Sequence, residues 1–313
     1  MADTKRLIII DANAVIHRAY HALPPLTTKE GKLVNAVYGF LLVFFRAMRE
    51  FSPDYVIAVF DFPAPSFRQQ KYKLYKAKRE KAPEDLYKQI PQVKEILEKF
   101  NVAIYEKEGF EADDIIGTIS KKAPKKQIFP GLETIIISGD SDTLRLVDEN
   151  TKVYLLKRGV KDIVIFDENK VKEKYDGIEP ERLTDFRALR GDPSDNIPGV
   201  PGIGEKTAIM LIKKFGSLEN LYKEIEENTE KARELNESLR EKLIKAKEQA
   251  FLSKMLAQIR FDVPIDFNLE KSQWGKYNRE EVRDILEKYQ FNTLLNRLPE
   301  IDNNLNINKK GES

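Results

Sequence analysis

An α/β architecture, a doubly wound and mostly parallel sheet followed by an all-helical region, is predicted by three observations. Short apolar runs of strand type alternate with helical periodicities through the first half of the chain. Three of those runs are followed directly, or after two small residues, by aspartate. From about Glu181 onward the strand signal stops and only helical spacing continues.

The first run, Leu7–Ile10, leads into Asp11, and Val34–Arg49 follows with apolar residues at helical spacing. The run Tyr55–Phe60 precedes Asp61, and a helical stretch covers 85–99. Val102–Tyr105 is the third strand, and Ala112–Lys122 reads as the helix behind it. Thr134–Ile137 reaches Asp140 and Asp142 through Ser138 and Gly139, and Val153–Leu156 with Ile163–Phe166 form a further strand pair. The expected division is 1–180 for the α/β unit and 181–298 for the helical unit, with 299–313 as a flexible tail rich in Asn and Lys.

Composition narrows the classes. At 313 residues, two compact units of about 150 residues each, or one elaborated unit, are expected. The absence of cysteine excludes a disulfide scaffold, a thiolate metal site and a cysteine nucleophile, and two histidines leave little room for imidazole chemistry. The longest apolar run, Ala36–Phe45, has ten residues, about half of what spans a membrane, and reads as a core helix. Without a signal-type segment the chain reads as cytoplasmic. Its 53 Lys and Arg nearly balance 51 Asp and Glu, so any nucleic-acid contact must rest on local segregation of charge.

Acidic residues carry the first chemical signal. A parallel sheet sends its carboxyl ends to one edge, so Asp11, Asp61, Asp140 and Asp142 should converge there. Glu111, Asp113 and Asp114 open a helix at the same edge, and Asp192 and Asp195 arrive in the segment Gly191–Asn196. Taken singly, each is explained as a helix cap or turn residue. Together they are not, since carboxylates ~4 Å apart repel by roughly 4 kcal/mol per pair at an effective dielectric near 20. Oxygen donors without cysteine suit Mg²⁺, or Mn²⁺ in its place, and this many acids could hold two ions for phosphoryl chemistry.

A basic stretch supplies the segregated charge. Arg68, Lys71, Lys73, Lys76, Lys78, Arg79 and Lys81, offset by Glu80, give residues 68–81 a charge of +6, with Phe67, Tyr72 and Tyr75 interleaved. A solvated helix face is the bland explanation. Position just after Asp61 favours a cationic track for nucleic acid above the acidic edge. Further on, Gly199, Gly202 and Gly204 with Lys206 and Thr207 lie between the helical segments 183–190 and 207–215. That pattern suits backbone contact with duplex phosphates at a helix start better than a dinucleotide, because no strand directly precedes the glycines.

The motifs VFDFPAPSFR (59–68), YKAKR (75–79), FEADD (110–114), SGDSD (138–142) and RALRGDPSDNIPGVPGIGEKTA (187–208) resemble the 5′ nuclease domain of bacterial DNA polymerase I and the related phage flap endonucleases. The resemblance implies a PIN-like 5′ nuclease core carrying a helical arch over about 62–99 and a helix-hairpin-helix over about 184–216. It implies a 5′–3′ exonuclease and flap endonuclease acting as a monomer on branched or nicked DNA and on RNA-primer duplexes. By resemblance, Asp11, Asp61, Glu111, Asp113 and Asp140 surround a first metal, Asp142, Asp192 and Asp195 serve a second, and Asp113 or Asp114 lies near both. Lys76 and Arg79 would contact the scissile phosphate, Arg68 matches the arginine after the second aspartate, Tyr75 would stack on a base, and carbonyls of the hairpin could hold K⁺. A ribonuclease of the PIN class would need neither arch nor hairpin, and a silent junction binder would not need the acids. Whether the chain is a free-standing nuclease or one domain of a polymerase stays open.

Overall fold

The computed structural model describes residues 4–123 and 131–299. The expected tail therefore lies, apart from Pro299, outside the described residues.

Strands β1 (Arg6–Asp11), β2 (Tyr55–Val59), β3 (Ala103–Tyr105), β4 (Glu133–Ser138), β5 (Thr151–Arg158) and β6 (Asp162–Phe166) form one sheet in the order β3-β2-β1-β4-β5-β6. All neighbours are parallel except β5 and β6, which pair antiparallel as a hairpin. The chain winds from β1 outward to β3 and then returns to place β4 on the other side of β1. The strand order thus reverses between β1 and β4, and in open α/β sheets ligands bind at the carboxyl ends flanking such a reversal.

The unbroken apolar runs are explained by burial on both faces. Leu7, Ile9, Ile57, Val59, Ile136 and Val153 point into one core, which includes Ile115, Ile116 and Ile119 of the helix Ala112–Lys122 and the helices Leu183–Arg190 and Glu205–Phe215. Their alternates Ile8, Ile10, Val56, Ala58, Ile137 and Tyr154 point into a second core, built with the helices Ala12–Ala22, Asn35–Phe51 and Ile90–Lys99.

Two features depart from the expected division. Residues 181–298 do not pack as one unit, because the last part of the chain crosses back to the α/β half. Trp274 N–H donates to Asp54 O at 2.8 Å, and Val282, Ile285 and Leu286 of the helix Arg279–Lys288 join the core of Phe44 and Phe100. The segment 62–99, expected as a helical arch, is helical only in part. It consists of a short helix Phe67–Lys71, turns over 73–78, and helices Glu84–Tyr87 and Ile90–Lys99.

Candidate active site

Four acids meet at the strand reversal. Asp11 closes β1 and caps the next helix, with Oδ1 accepting the Ala14 N–H at 3.2 Å and Oδ2 accepting the Ser138 hydroxyl at 2.6 Å. The same hydroxyl accepts the Asp140 N–H at 2.9 Å, which ties the ends of β1 and β4 together. Gly139 between them sits close against the first helix, where a Cβ would lie 3.0 Å from the Ala14 carbonyl. Asp61, after β2, accepts the Ala112 N–H at 2.8 Å and so fixes the start of the helix that carries Asp113. Asp11, Asp61, Asp113 and Asp140, with Glu111, Lys76 and Arg79, line a cleft of about 470 Å³.

The electrostatics separate these acids into two kinds. Burial pushes Asp11 up to about 7, with Asp61 and Asp140 adding to the rise against the Ser138 hydrogen bond. Asp113 is raised well above the usual range by burial and by Asp140 and Asp11, and Asp140 is raised by burial and by Asp142. Each marks negative charge without enough compensation. Glu111 behaves oppositely: burial would raise it, but Lys76 and Arg68 outweigh that cost and hold it at about 2. A hard divalent ion fits this donor set, since the donors are carboxylate oxygens and the uncompensated charge is negative. Among the described residues no three acidic or histidine side chains already converge on one ligating point, and Lys76 and Arg79 stand among them.

Several expected site residues lie elsewhere. Arg68 is 2% exposed and does not line the cleft: it lies behind Glu111, 3.6 Å from its Oε2, forms a two-pronged pair with Asp114 at 2.7 Å on each oxygen and donates to Leu256 O and Gln258 O. Asp114 is fully buried and also accepts the N–H groups of Glu111 and Arg260. Its oxygens are saturated, so neither residue is available to an ion or a phosphate in this arrangement. Tyr75, 4% exposed, cannot offer a face to a base; its hydroxyl is 3.1 Å from Glu111 Oε2 and 3.3 Å from Asp195 Oδ2. Lys71, Lys73, Lys78 and Lys81 are exposed on the stretch above the cleft.

The remaining acids are held by cations beside the cleft. Asp142 pairs with Arg145 and with Arg187 at 3.0 Å, and these guanidinium groups lower it against the cost of burial. Arg187 also reaches Asp192 at 3.1 Å, and Asp195 pairs with Arg79 at 2.5 Å. In the hairpin, the helix Glu205–Phe215 starts from Gly204 as its cap, with Gly202, Gly204 and Lys206 exposed and Thr207 half-buried. Gly199 has an internal role instead. Its N–H donates to Ser253, its carbonyl accepts from Gln249, and at φ +63° a Cβ would meet Gly191 N at 2.4 Å.

Sequence reasoning missed the cleft wall formed by Asn13, His17, Arg18 and His21. The signal was present, since Asn13, His17 and His21 recur every four residues after a strand that ends in Asp11. Arg18 donates to Gly139 O at 2.7 Å, supporting the turn that carries Asp140. Burial lowers His17, with His21 adding to the effect, so its imidazole favours the neutral form.

Comparison with known proteins agrees with this architecture. Residues 6–176 match the family model of the 5′-3′ exonuclease N-terminal resolvase-like domain, and 178–280 match the 5′-3′ exonuclease C-terminal SAM fold. DNA polymerase I of Bacillus subtilis is 41% identical over 300 residues, covering 96% of this chain and 33% of the polymerase. The thermostable DNA polymerase I of Thermus thermophilus is 39% identical over 295 residues, covering 93% and 32%. The chain therefore spans about a third of the length of these relatives. The zinc-bound T5 5′-exonuclease shares the fold with a TM-score of 0.65 at 20% identity, over 93% of this chain and 98% of that one. The catalytic core of Rad2 in complex with DNA substrate does so with a TM-score of 0.58 at 18% identity, over 95% and 93%. With both halves matched, and with acids from three strand ends lining one cleft, the chain belongs to the 5′-3′ exonuclease family.

Proposed function

We propose that this chain is a divalent-metal-dependent 5′–3′ exonuclease and 5′ flap endonuclease that hydrolyses phosphodiesters of branched or nicked DNA and leaves 5′-phosphates. The observation that carries this reading is the meeting of Asp11, Asp61, Asp113 and Asp140 with Lys76 and Arg79 in one cleft at the strand reversal. Asp11, Asp113 and Asp140 are the acids most in need of a cation, and with Asp61 and Glu111 they would hold a first ion. Asp142 and Asp192 share Arg187, so a second ion drawing on them must compete with that guanidinium, whereas the cations at Asp195 are the long side chains of Arg79 and Lys76, beside the Tyr75 hydroxyl. Two bound divalent ions would supply activated water and neutralise the leaving oxygen.

The protein's own groups do the rest. Lys76 and Arg79 offer positive charge where a phosphate must approach an acidic wall. Lys71, Lys73, Lys78 and Lys81 would draw in a single-stranded 5′ end. The exposed start of the helix Glu205–Phe215 has open space at Gly204, where a Cβ would meet nothing within 4 Å, and with Lys206 it would grip duplex backbone. Relatives that bear DNA or divalent ions support this reading. A 5′-labelled flap duplex incubated with Mg²⁺, with EDTA, and with Asp140→Ala tests it. Cleavage in the first case alone is expected; EDTA-resistant cleavage would overturn the ion dependence.

A further inference from the structure

The turn over 72–79 is tied down with unusual thoroughness for a cationic surface segment. Lys76 N–H donates to Asp195 O at 2.9 Å, and Asn196 Nδ2 donates to Leu74 O at 2.7 Å. Tyr75 packs with Ile197, Leu256 and Ala257. Lys76 and Asn196 both adopt left-handed backbone, with φ of 55° and 56°; asparagine takes it readily, but the lysine does so only against a steric cost. That backbone aims two side chains downward: Lys76 Nζ lies 2.7 Å from Glu111 Oε2, and Arg79 lies 2.5 Å from Asp195 Oδ1. The neighbouring Lys73 and Lys78 stay exposed. The two inward cations thus cover carboxylates to which the proposed function gives divalent ions. An ammonium at that distance excludes a second cation from the same oxygen, so the two bindings are linked and mutually exclusive.

We propose that the turn 72–79 is an ion-released strap: Lys76 and Arg79 are the resting counter-ions of Glu111 and Asp195, and divalent ions taking those carboxylates free both cations to meet the substrate phosphate. The inference rests on the proposed function, because it needs those acids to bind ions. It assigns Lys76 and Arg79 two successive partners, and it couples loading of the cleft to loosening of the segment above it. The cationic gateway would then open to nucleic acid only when the ions that cut it are in place.

Since the chain has no cysteine, Lys78→Cys carries a single nitroxide on the exposed turn. The labelled protein is titrated with MgCl₂ and, at matched ionic strength, with KCl, while calorimetry follows Mg²⁺ binding. Expected is a saturable rise in label mobility with the same midpoint as the binding heat, and none with KCl. Arg79→Ala should bind Mg²⁺ roughly fivefold more tightly, as loss of a competing partly exposed ion pair implies. Binding heat without a mobility change, or equal release by KCl, overturns the strap. Absence of binding heat from the folded protein instead overturns the two-ion reading beneath it.

Discussion

At the scale of single residues, similar carboxylates do opposite work. Asp114 was legible as an acid beside Asp113, but its partner Arg68 lies 46 positions away and the carbonyls of Leu256 and Gln258 further still, so its structural role could not be read locally. Asp114→Ala removes the two-pronged partner of a buried guanidinium, leaving Glu111 at 3.6 Å as its counter-charge, and should lower stability by about 3 kcal/mol in denaturant unfolding. Asp11 was correctly placed at a strand end, and its cost can be measured. Its carboxyl is raised from the ordinary range to about 7. The folded state therefore holds a proton that the unfolded chain has released, and stability of the metal-free protein falls as pH rises from about 4 to about 7. Asp11→Asn should flatten that slope and stabilise the metal-free protein at pH 8 by on the order of 2 kcal/mol. Unchanged or lower thermal stability of this variant at pH 8 would contradict the assignment.

At the scale of elements, the regular parts were legible and the tied-down parts were not. Unbroken apolar runs, buried on both faces, mark β1, β2 and β4, and charge or turn residues bound each strand. The stretch 68–81 reads from its composition as a solvated cationic helix or track, and its true form depends on Glu111, Asp195 and Asn196, which lie far off in sequence. The hairpin was recognisable from its glycines, yet only the geometry shows that Gly199 serves close packing against Gly191 while Gly204 faces open space. The two cationic elements should separate kinetically. Lys76→Ala should lower turnover on a flap substrate more than it weakens duplex binding. Lys206→Ala should weaken duplex binding and reduce its salt dependence by about one phosphate contact, with turnover at saturation unchanged.

At the scale of the whole molecule, a doubly buried sheet holds the acids at one edge, and both cores must be complete for that edge to be rigid. The alternation of strand and helix predicted the sheet. It could not predict the return of residues 273–298, because nothing local distinguishes a helix that continues a helical region from one that crosses to the opposite core. Trp274 packs 5.4 Å from Phe44 and 5.9 Å from Phe100, and Tyr277 4.9 Å from Phe100. Truncation after residue 272 should therefore uncover this aromatic cluster and yield a protein that binds a hydrophobic dye and melts without cooperativity. A cooperative melt from the truncated chain would show that the α/β half needs no such cover.

Under the proposed function, the acids gathered by the strand reversal hold divalent ions at the scissile phosphate. Anomalous scattering from a crystal of the chain with a flap DNA and Mn²⁺ tests it most directly. Manganese peaks bounded by Asp11, Asp113 and Asp140 against a substrate phosphate are expected. A bound substrate with no anomalous peak among those three carboxylates would contradict it.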